Sequence, residues 1–288
     1  MKTKQPLNTD AKLRRHHLVP ISHPMKTMSQ KERASGKVHI GTSGWHYKHW
    51  VGPFYPPKMP ASRMLRFYTE HFDTVEINNS FYRLPAATAI NTWCRETPPG
   101  FCFAVKASRY ITHNRKLNDP ERSTEKFMQV VRKLDRRLGP ILFQLPPSWK
   151  LNLERLENFL SGLPKHHRYV FEFRNPTWNI AEVYDALRRH NAAYCIYELA
   201  GFQSPIQTTA DFAYVRLHGP GTNKYQEDYS KKILEVWAKR IAAWTKELKH
   251  TFLYFDNDQM GFAAKNALEL KQIIEHTDQP RPSVHRAA

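Results

Sequence analysis

No stretch of this 288-residue chain approaches the roughly 20 consecutive apolar residues that a membrane helix requires. The N-terminus carries basic residues but no apolar h-region and no cleavage site, which argues against secretion. Cysteine is scarce, and Cys94, Cys102 and Cys195 are odd in number, far apart and in no Cys-x-x-Cys spacing. That pattern supports neither a disulfide framework nor a structural zinc site, and a reducing cytoplasm is the expected compartment. A His-Glu-x-x-His signature is absent, no low-complexity tract follows the N-terminal region, and no Pro/Gly linker divides the chain. Acidic residues are also few, 26 against 44 Lys and Arg, which leaves a formal charge of +18.

What is present is the composition of a globular protein, 41% hydrophobic and 12% aromatic. The length suits one barrel or two smaller domains. The basic surplus favours polyanionic partners through counterion release, although solvated Lys and Arg are common on proteins that bind none. Nine of these cations lie in the first 37 residues, against only Asp10 and Glu32. Residues 1–36 lack periodicity and large apolar side chains, so they read as a disordered basic arm, with Met25 and Met28 as alternative starts. Residues 277–288 read as a disordered tail, and the segment between, 37–276, as one domain.

Within that segment short apolar runs alternate with amphipathic stretches about eight times, the pattern of a parallel sheet with crossover helices. Strands are expected at Val38 to Ser43, Thr74 to Asn78, Phe101 to Lys106, Ile141 to Leu145, Tyr169 to Arg174, Ala193 to Glu198, Ala213 to His218 and Thr251 to Asp256. Helical patterns fall at Ser62 to Phe72, Ser123 to Leu138, Leu153 to Leu160, Ala181 to His190, Ser230 to Leu248 and Ala263 to Ile274. The connection from Leu199 to Asp211 is loop-like, so the sixth helix is expected to be degenerate. Eight strands of this kind predict an α/β fold, a single-domain (β/α)8 TIM barrel.

Strand polarity then locates the chemistry. Residues i and i+2 share a face, and in a barrel one face fills the interior while the other meets the helices. Glu76 and Asn78 stand opposite Val75 and Ile77, Glu172 and Arg174 opposite Phe171 and Phe173, and Arg216 and His218 opposite Val215 and Leu217. Lys106, Gln144, Glu198 and Asp256 are assigned to the same inward, C-terminal positions on four further strands. Active sites of such barrels sit at that end, and burying so many polar groups is costly without partners or a ligand. The bland alternative is a set of buried ion pairs, such as Glu172 with Arg174 or Arg216, carrying no chemistry.

Read in order, the segments beginning at Gly41 (GTSGWHYKHWVGPFYP), Val75 (VEINNSFYRLP), Phe103 (FAVKASRYITH), Leu138 (LGPILFQLPPSW), Phe171 (FEFRNPTW), Tyr214 (YVRLHGP) and Tyr254 (YFDNDQMGFAAKNALEL) resemble the YecE-like family, domain of unknown function 72. The resemblance covers Val38 to about Ile274 and implies a TIM barrel. It implies no activity, because the family is defined without one. The chain departs from the family pattern at Glu198, where Asp is commoner, and at Asp256, where Asn is commoner.

Several roles follow for the inward residues. Lys106, Arg174, Arg216 and the loop residue Arg83 make a cation-rich pocket, and the guanidinium fork suits phosphate or carboxylate. Gly219, in the His-Gly-Pro-Gly run after the seventh strand, lies where barrels often build phosphate sites. His218 is the natural acid/base group, with Glu76 or Glu172 as its carboxylate partner. Asn78, Gln144, Asn257 and Asp258 complete the expected ligand contacts, and His113 lies on a loop able to reach the mouth. Trp45, Tyr47, Tyr82 and Trp178, together with Trp50, Phe54, Tyr55 and Phe81, form an expected aromatic rim. No cofactor is predicted. A divalent metal held by Glu76, Glu172, Glu198, His218 and Asp258 is the one alternative, opposed by the neighbouring cations.

Three functions fit these features. The first is an acid/base enzyme of the hydrolase kind, acting on a phosphate-bearing substrate such as a nucleotide or nucleic acid. A non-catalytic nucleic-acid or polyanion binder is the second. Last is a glycoside hydrolase using Glu76 and Glu172, against which the fourth and seventh strands carry Gln144 and Arg216/His218 where such barrels place their acids. The expected partners are anionic small molecules or nucleic acid, with no membrane and no obligate protein partner.

Overall fold

A computed structural model describes residues 35–278. The expected arm and C-terminal tail lie wholly or almost wholly outside those residues. Eight parallel strands form the barrel: β1 (Lys37–Thr42), β2 (Thr74–Ile77), β3 (Cys102–Lys106), β4 (Leu138–Leu145), β5 (Tyr169–Phe173), β6 (Ala193–Leu199), β8 (Phe212–Leu217) and β9 (His250–Phe255). The two-residue β7 (Phe202–Gln203) pairs antiparallel with the end of β6. The sheet runs β1-β9-β8-β6-β5-β4-β3-β2. Among the described residues seven α-helices accompany the strands: α1 (Ala61–Thr69), α2 (Ala87–Glu96), α3 (Pro120–Val131), α4 (Leu153–Gly162), α5 (Ala181–Arg189), α6 (Lys231–Trp244) and, after the last strand, α7 (Phe262–Asp278).

All eight expected strands form to within a few residues at either end. As the loop-like sequence implied, no α-helix lies between β6 and β8 among the described residues; the β6–β7 ribbon occupies that connection. Helix α2 was not drawn out by periodicity, and the reason is visible in its burial: Ile90 is its one fully buried residue. Local chemistry sets several ends. Asn152 caps α4 by accepting the Arg155 N–H at 2.9 Å, and Pro120 opens α3, where its missing N–H costs nothing.

The barrel closes between β1 and β2 by an unusual device. The Tyr68 hydroxyl, from α1, accepts the Thr42 N–H at 3.0 Å and donates to the Thr74 carbonyl at 3.0 Å. A phenol thus stands where two backbones would otherwise pair. Direct pairing resumes only at the top, where the Gly44 N–H donates to the Glu76 carbonyl at 2.8 Å. Gly41 permits the approach, since a Cβ there would lie 2.3 Å from the Thr74 oxygen.

The sheet divides the apolar residues into two bodies. Outside, a large cluster including Phe103, Phe143, Phe171, Trp178, Leu217 and Leu253 packs strands against helices. Inside, Ala104, Leu142, Val170, Cys195, Tyr214 and Tyr254 fill the lumen. The inner cluster gives way to charge at the C-terminal end of the strands, and that transition positions the site.

Candidate functional site

Alternation along β8 brings Tyr214, Arg216 and His218 to the lumen one above the other, and the same parity on β2 and β5 brings Glu76 and Glu172 to face them. Arg216, 1% exposed, is the hub. Its Nε donates to both Glu76 oxygens at 3.1 and 3.0 Å and its Nη2 to Glu76 Oε1 at 2.8 Å. Nη1 donates to Glu172 Oε2 at 2.9 Å, and Nη2 also to Asp256 Oδ2 at 2.9 Å. Glu76 takes two further hydrogen bonds, from Ser43 Oγ at 2.6 Å and from the Tyr214 hydroxyl at 2.5 Å. Arg174 Nε completes the set by donating to Glu172 Oε1. Burial alone would raise the Glu172 pKa, but Arg174 and Arg216 hold it well below the ordinary carboxylate range.

Arg216 therefore faces three carboxylates rather than a ligand. Arg174 and Arg216 are both taken up by direct ion pairs with Glu76, Glu172 and Asp256. Glu76 and Glu172 are both fully buried and saturated with donors. That disposition does not suit a pair of glycosidase acids, which must reach a sugar and a water. Cys195 Sγ lies 3.7 Å from Glu172 Oε2, and burial, then that carboxylate, push its pKa well up, so it is an inert thiol.

His218 sits above the hub. Its Nε2 lies 3.1 Å from Arg174 Nη2 and 3.2 Å from Arg216 Nη1. Guanidinium nitrogens only donate, so Nε2 must offer its lone pair and the ring proton must reside on Nδ1. Nδ1 lies 2.9 Å from Asp256 Oδ2, yet it finds no well-aligned acceptor. Burial and Arg216 lower the His218 pKa against the opposing pull of Asp256.

Lys106 differs from every other inward cation. No carboxylate among the described residues lies within 4 Å of its ammonium, which rests 4.6 Å from the centre of the Phe81 ring. Burial and the nearby Arg216 bring its pKa down to about 8. Asn78 donates to Ser43 Oγ, while its Oδ1 is buried with no hydrogen-bond partner. Gln144, beside Glu172 in the sheet register, and Tyr47, whose hydroxyl donates to the Ser43 carbonyl at 2.6 Å, border the same space. Burial, then Asp256, raise the Tyr47 pKa.

Other expected residues fall elsewhere. Glu198 pairs in register with Leu217 on the outer face, and the inward residues of β6 are Cys195 and Tyr197. Burial raises the Glu198 pKa against hydrogen bonds from Tyr229 and Trp237. The Gly219 N–H is taken by the Tyr229 hydroxyl at 3.1 Å, so it is not free for a phosphate. Asn257 also points outward, its Nδ2 donating to Asn266 Oδ1 at 2.9 Å and to the Glu227 carbonyl at 2.8 Å. Asp258 stays at the rim, 3.8 Å from His49 Nε2. Burial and the neighbouring Asp256 raise its pKa.

The aromatic rim is largely packing. Trp45 lies edge-on to Trp93 and Phe103, and Trp178 stacks on Phe173 while donating to the Trp149 carbonyl at 2.8 Å. Trp50 and Tyr55 are fully buried. Tyr82 alone of the expected rim is widely exposed, and it and Arg83 line a groove beside the mouth. His113 packs against Phe81. The sequence reading missed Ser43 and Tyr214, although Tyr214 shares the i, i+2 face with Arg216. Among the described residues no group of three or more His, Cys, Asp or Glu is arranged to hold a metal ion, the three lumen carboxylates being held by Arg216. No helix among those residues is long and apolar enough to cross a membrane.

Residues 39–287 match the family model described as "Protein of unknown function DUF72". The chain belongs to the DUF72 family. Among DUF72 proteins of known structure, one from Thermotoga maritima is 30% identical, with a TM-score of 0.76 over 83% of this chain and 99% of its own. Another, from Enterococcus faecalis, is 16% identical with a TM-score of 0.69 and agrees in fold. The Bacillus subtilis UPF0759 protein YunF is 26% identical over 274 residues, spanning 83% of this chain and 95% of YunF. The Escherichia coli UPF0759 protein YecE matches over 140 residues at 29% identity, 48% of this chain and 49% of YecE.

Proposed function

We propose that this DUF72 barrel is an acid/base enzyme acting on a small phosphate-bearing substrate, with Lys106 as the proton-transferring group. The observation that carries the reading is the isolation of Lys106: the other inward cations are neutralised by carboxylates, whereas this amine lies at the strand ends without one. A lysine titrating near 8 exchanges its proton close to neutrality, which ordinary lysines do not. Deprotonated it accepts a proton; protonated it is an unneutralised cation for a phosphate oxygen. Arg174, at the edge of the cluster with 11% of its side chain exposed, supplies a second anion contact. The unpartnered Asn78 Oδ1 offers a hydrogen-bond acceptor to the same ligand. Glu76, Glu172 and Arg216 serve as the rigid floor that orients His218 and Asp256. No membrane component enters this reading, and a cytoplasmic setting accords with it.

Turnover tests it. A panel of phosphate esters is incubated with the full chain and followed by phosphorus NMR. A new phosphorus resonance with the wild type, absent with Lys106→Met, is expected for at least one ester. Inorganic phosphate binding weakened by Lys106→Met, but with no ester converted, would instead favour a non-catalytic anion binder.

A further inference from the structure

A second feature lies on the same end of the barrel. The turns after β2 and β3, together with the start of α3, enclose a groove of about 760 Å³. Arg83, Arg122 and Lys126 line it, and no Asp or Glu does. All three cations are exposed, and none forms an ion pair among the described residues, unlike the hub cations of the lumen. Tyr82 and Tyr110 stand in the same groove 76% and 50% exposed, two of the four large hydrophobic side chains at least half exposed among the described residues. Two such rings in one groove offer open faces for stacking. The groove adjoins the mouth across one ring: Phe81 holds Lys106 at 4.6 Å from its centre and Tyr82 edge-on at 5.0 Å.

We infer that this groove binds a nucleotide unit, an aromatic base stacking on Tyr82 or Tyr110 while its phosphates contact Arg83, Arg122 and Lys126. The two requirements of such a ligand, an exposed π-face and uncompensated cations within reach of it, coincide here without a carboxylate in the lining, whereas the groove holding Lys224 and Tyr225 also holds Asp258. A plain polyanion would need only the cations. The inference is independent of turnover at Lys106.

Fluorescence anisotropy of the full chain with labelled ADP, and separately with a labelled oligothymidylate, tests it. Saturable binding of either probe is expected, weakened about tenfold or more in a Tyr82→Ala/Tyr110→Ala double variant because stacking is lost. In Arg122→Ala/Lys126→Ala the salt slope for the single-stranded oligonucleotide should fall by about 1.4. Preference for ADP identifies a free nucleotide as the source, and preference for the oligomer identifies a strand. All substituted positions are on the surface, and circular dichroism checks that each variant is folded. Turnover at Lys106 is read separately by phosphorus NMR, so a failure of turnover and a failure of this site are separable. Unchanged binding in the tyrosine variant, with a heparin fragment competing equally well, overturns the inference, as does the absence of binding by either probe.

Discussion

Arg216 and Glu76 form a buried fork, three hydrogen bonds of 2.8 to 3.1 Å between a guanidinium from β8 and a carboxylate from the non-adjacent strand β2. Because Glu172 and Asp256 hang from the same guanidinium, this pair fastens four strands at the floor of the mouth.

Removing that cation leaves three carboxylates without their common partner. Arg216→Ala should destabilise the protein by about 3–5 kcal/mol, the scale for breaking a buried ion pair. Arg216→Lys should not restore the loss, because a point charge cannot reproduce a fork that serves three acceptors. Urea unfolding of the two variants measures this, and a loss below about 1 kcal/mol in Arg216→Ala would show that the network is not structural.

The seam between β1 and β2 gives a second expectation. Tyr68→Phe deletes one hydroxyl and leaves the buried Thr42 N–H and Thr74 carbonyl without their shared partner. The cost should be about 1–3 kcal/mol, more than a surface phenol would yield. Hydrogen exchange should report faster exchange at the Thr42 amide in particular. An unchanged rate there would mean that the hydroxyl does not close the barrel.

Acid sensitivity follows from two histidines. At the N-terminal end of the barrel His250 Nε2 lies 3.0 Å from Arg168 Nη2, and burial with Arg168 brings its pKa to about 4. Burial and Arg216 lower His218 as well. Both groups bind protons more readily in the unfolded chain, so their contribution is present above the unfolded value of about 6.5 and is lost as pH falls toward the folded one. The melting temperature should therefore decline between pH 6.5 and 4. His250→Phe, which keeps the stack on Phe252, should flatten part of that decline. A melting temperature constant across this window would contradict it.

The fold was legible because the strands alternate so regularly: Val215 and Leu217 outward, Tyr214 and Arg216 inward. Parity also explains each misplaced residue. Glu198 is one residue past the inward Tyr197, Asn257 one past the inward Asp256, and Gly219 one past His218, so each turns away from the lumen. Trp178 lies beyond the end of β5 in a short 3-10 turn, where strand alternation no longer applies. What periodicity could not supply was pairing. Nothing in the order of residues says that Arg216 is consumed by three carboxylates, because those come from β2, β5 and β9, up to 140 residues away. The unpaired state of Lys106 was hidden for the same reason.

Lys106 carries the central claim, and its titration is the most direct test. With lysine labelled at the side-chain carbon, a pH series by NMR assigns the resonance that Lys106→Met removes. The amine should titrate at about 8, and inorganic phosphate should shift that midpoint upward by stabilising the charged form. A midpoint in the ordinary lysine range near 10.4, unmoved by phosphate, would contradict the account.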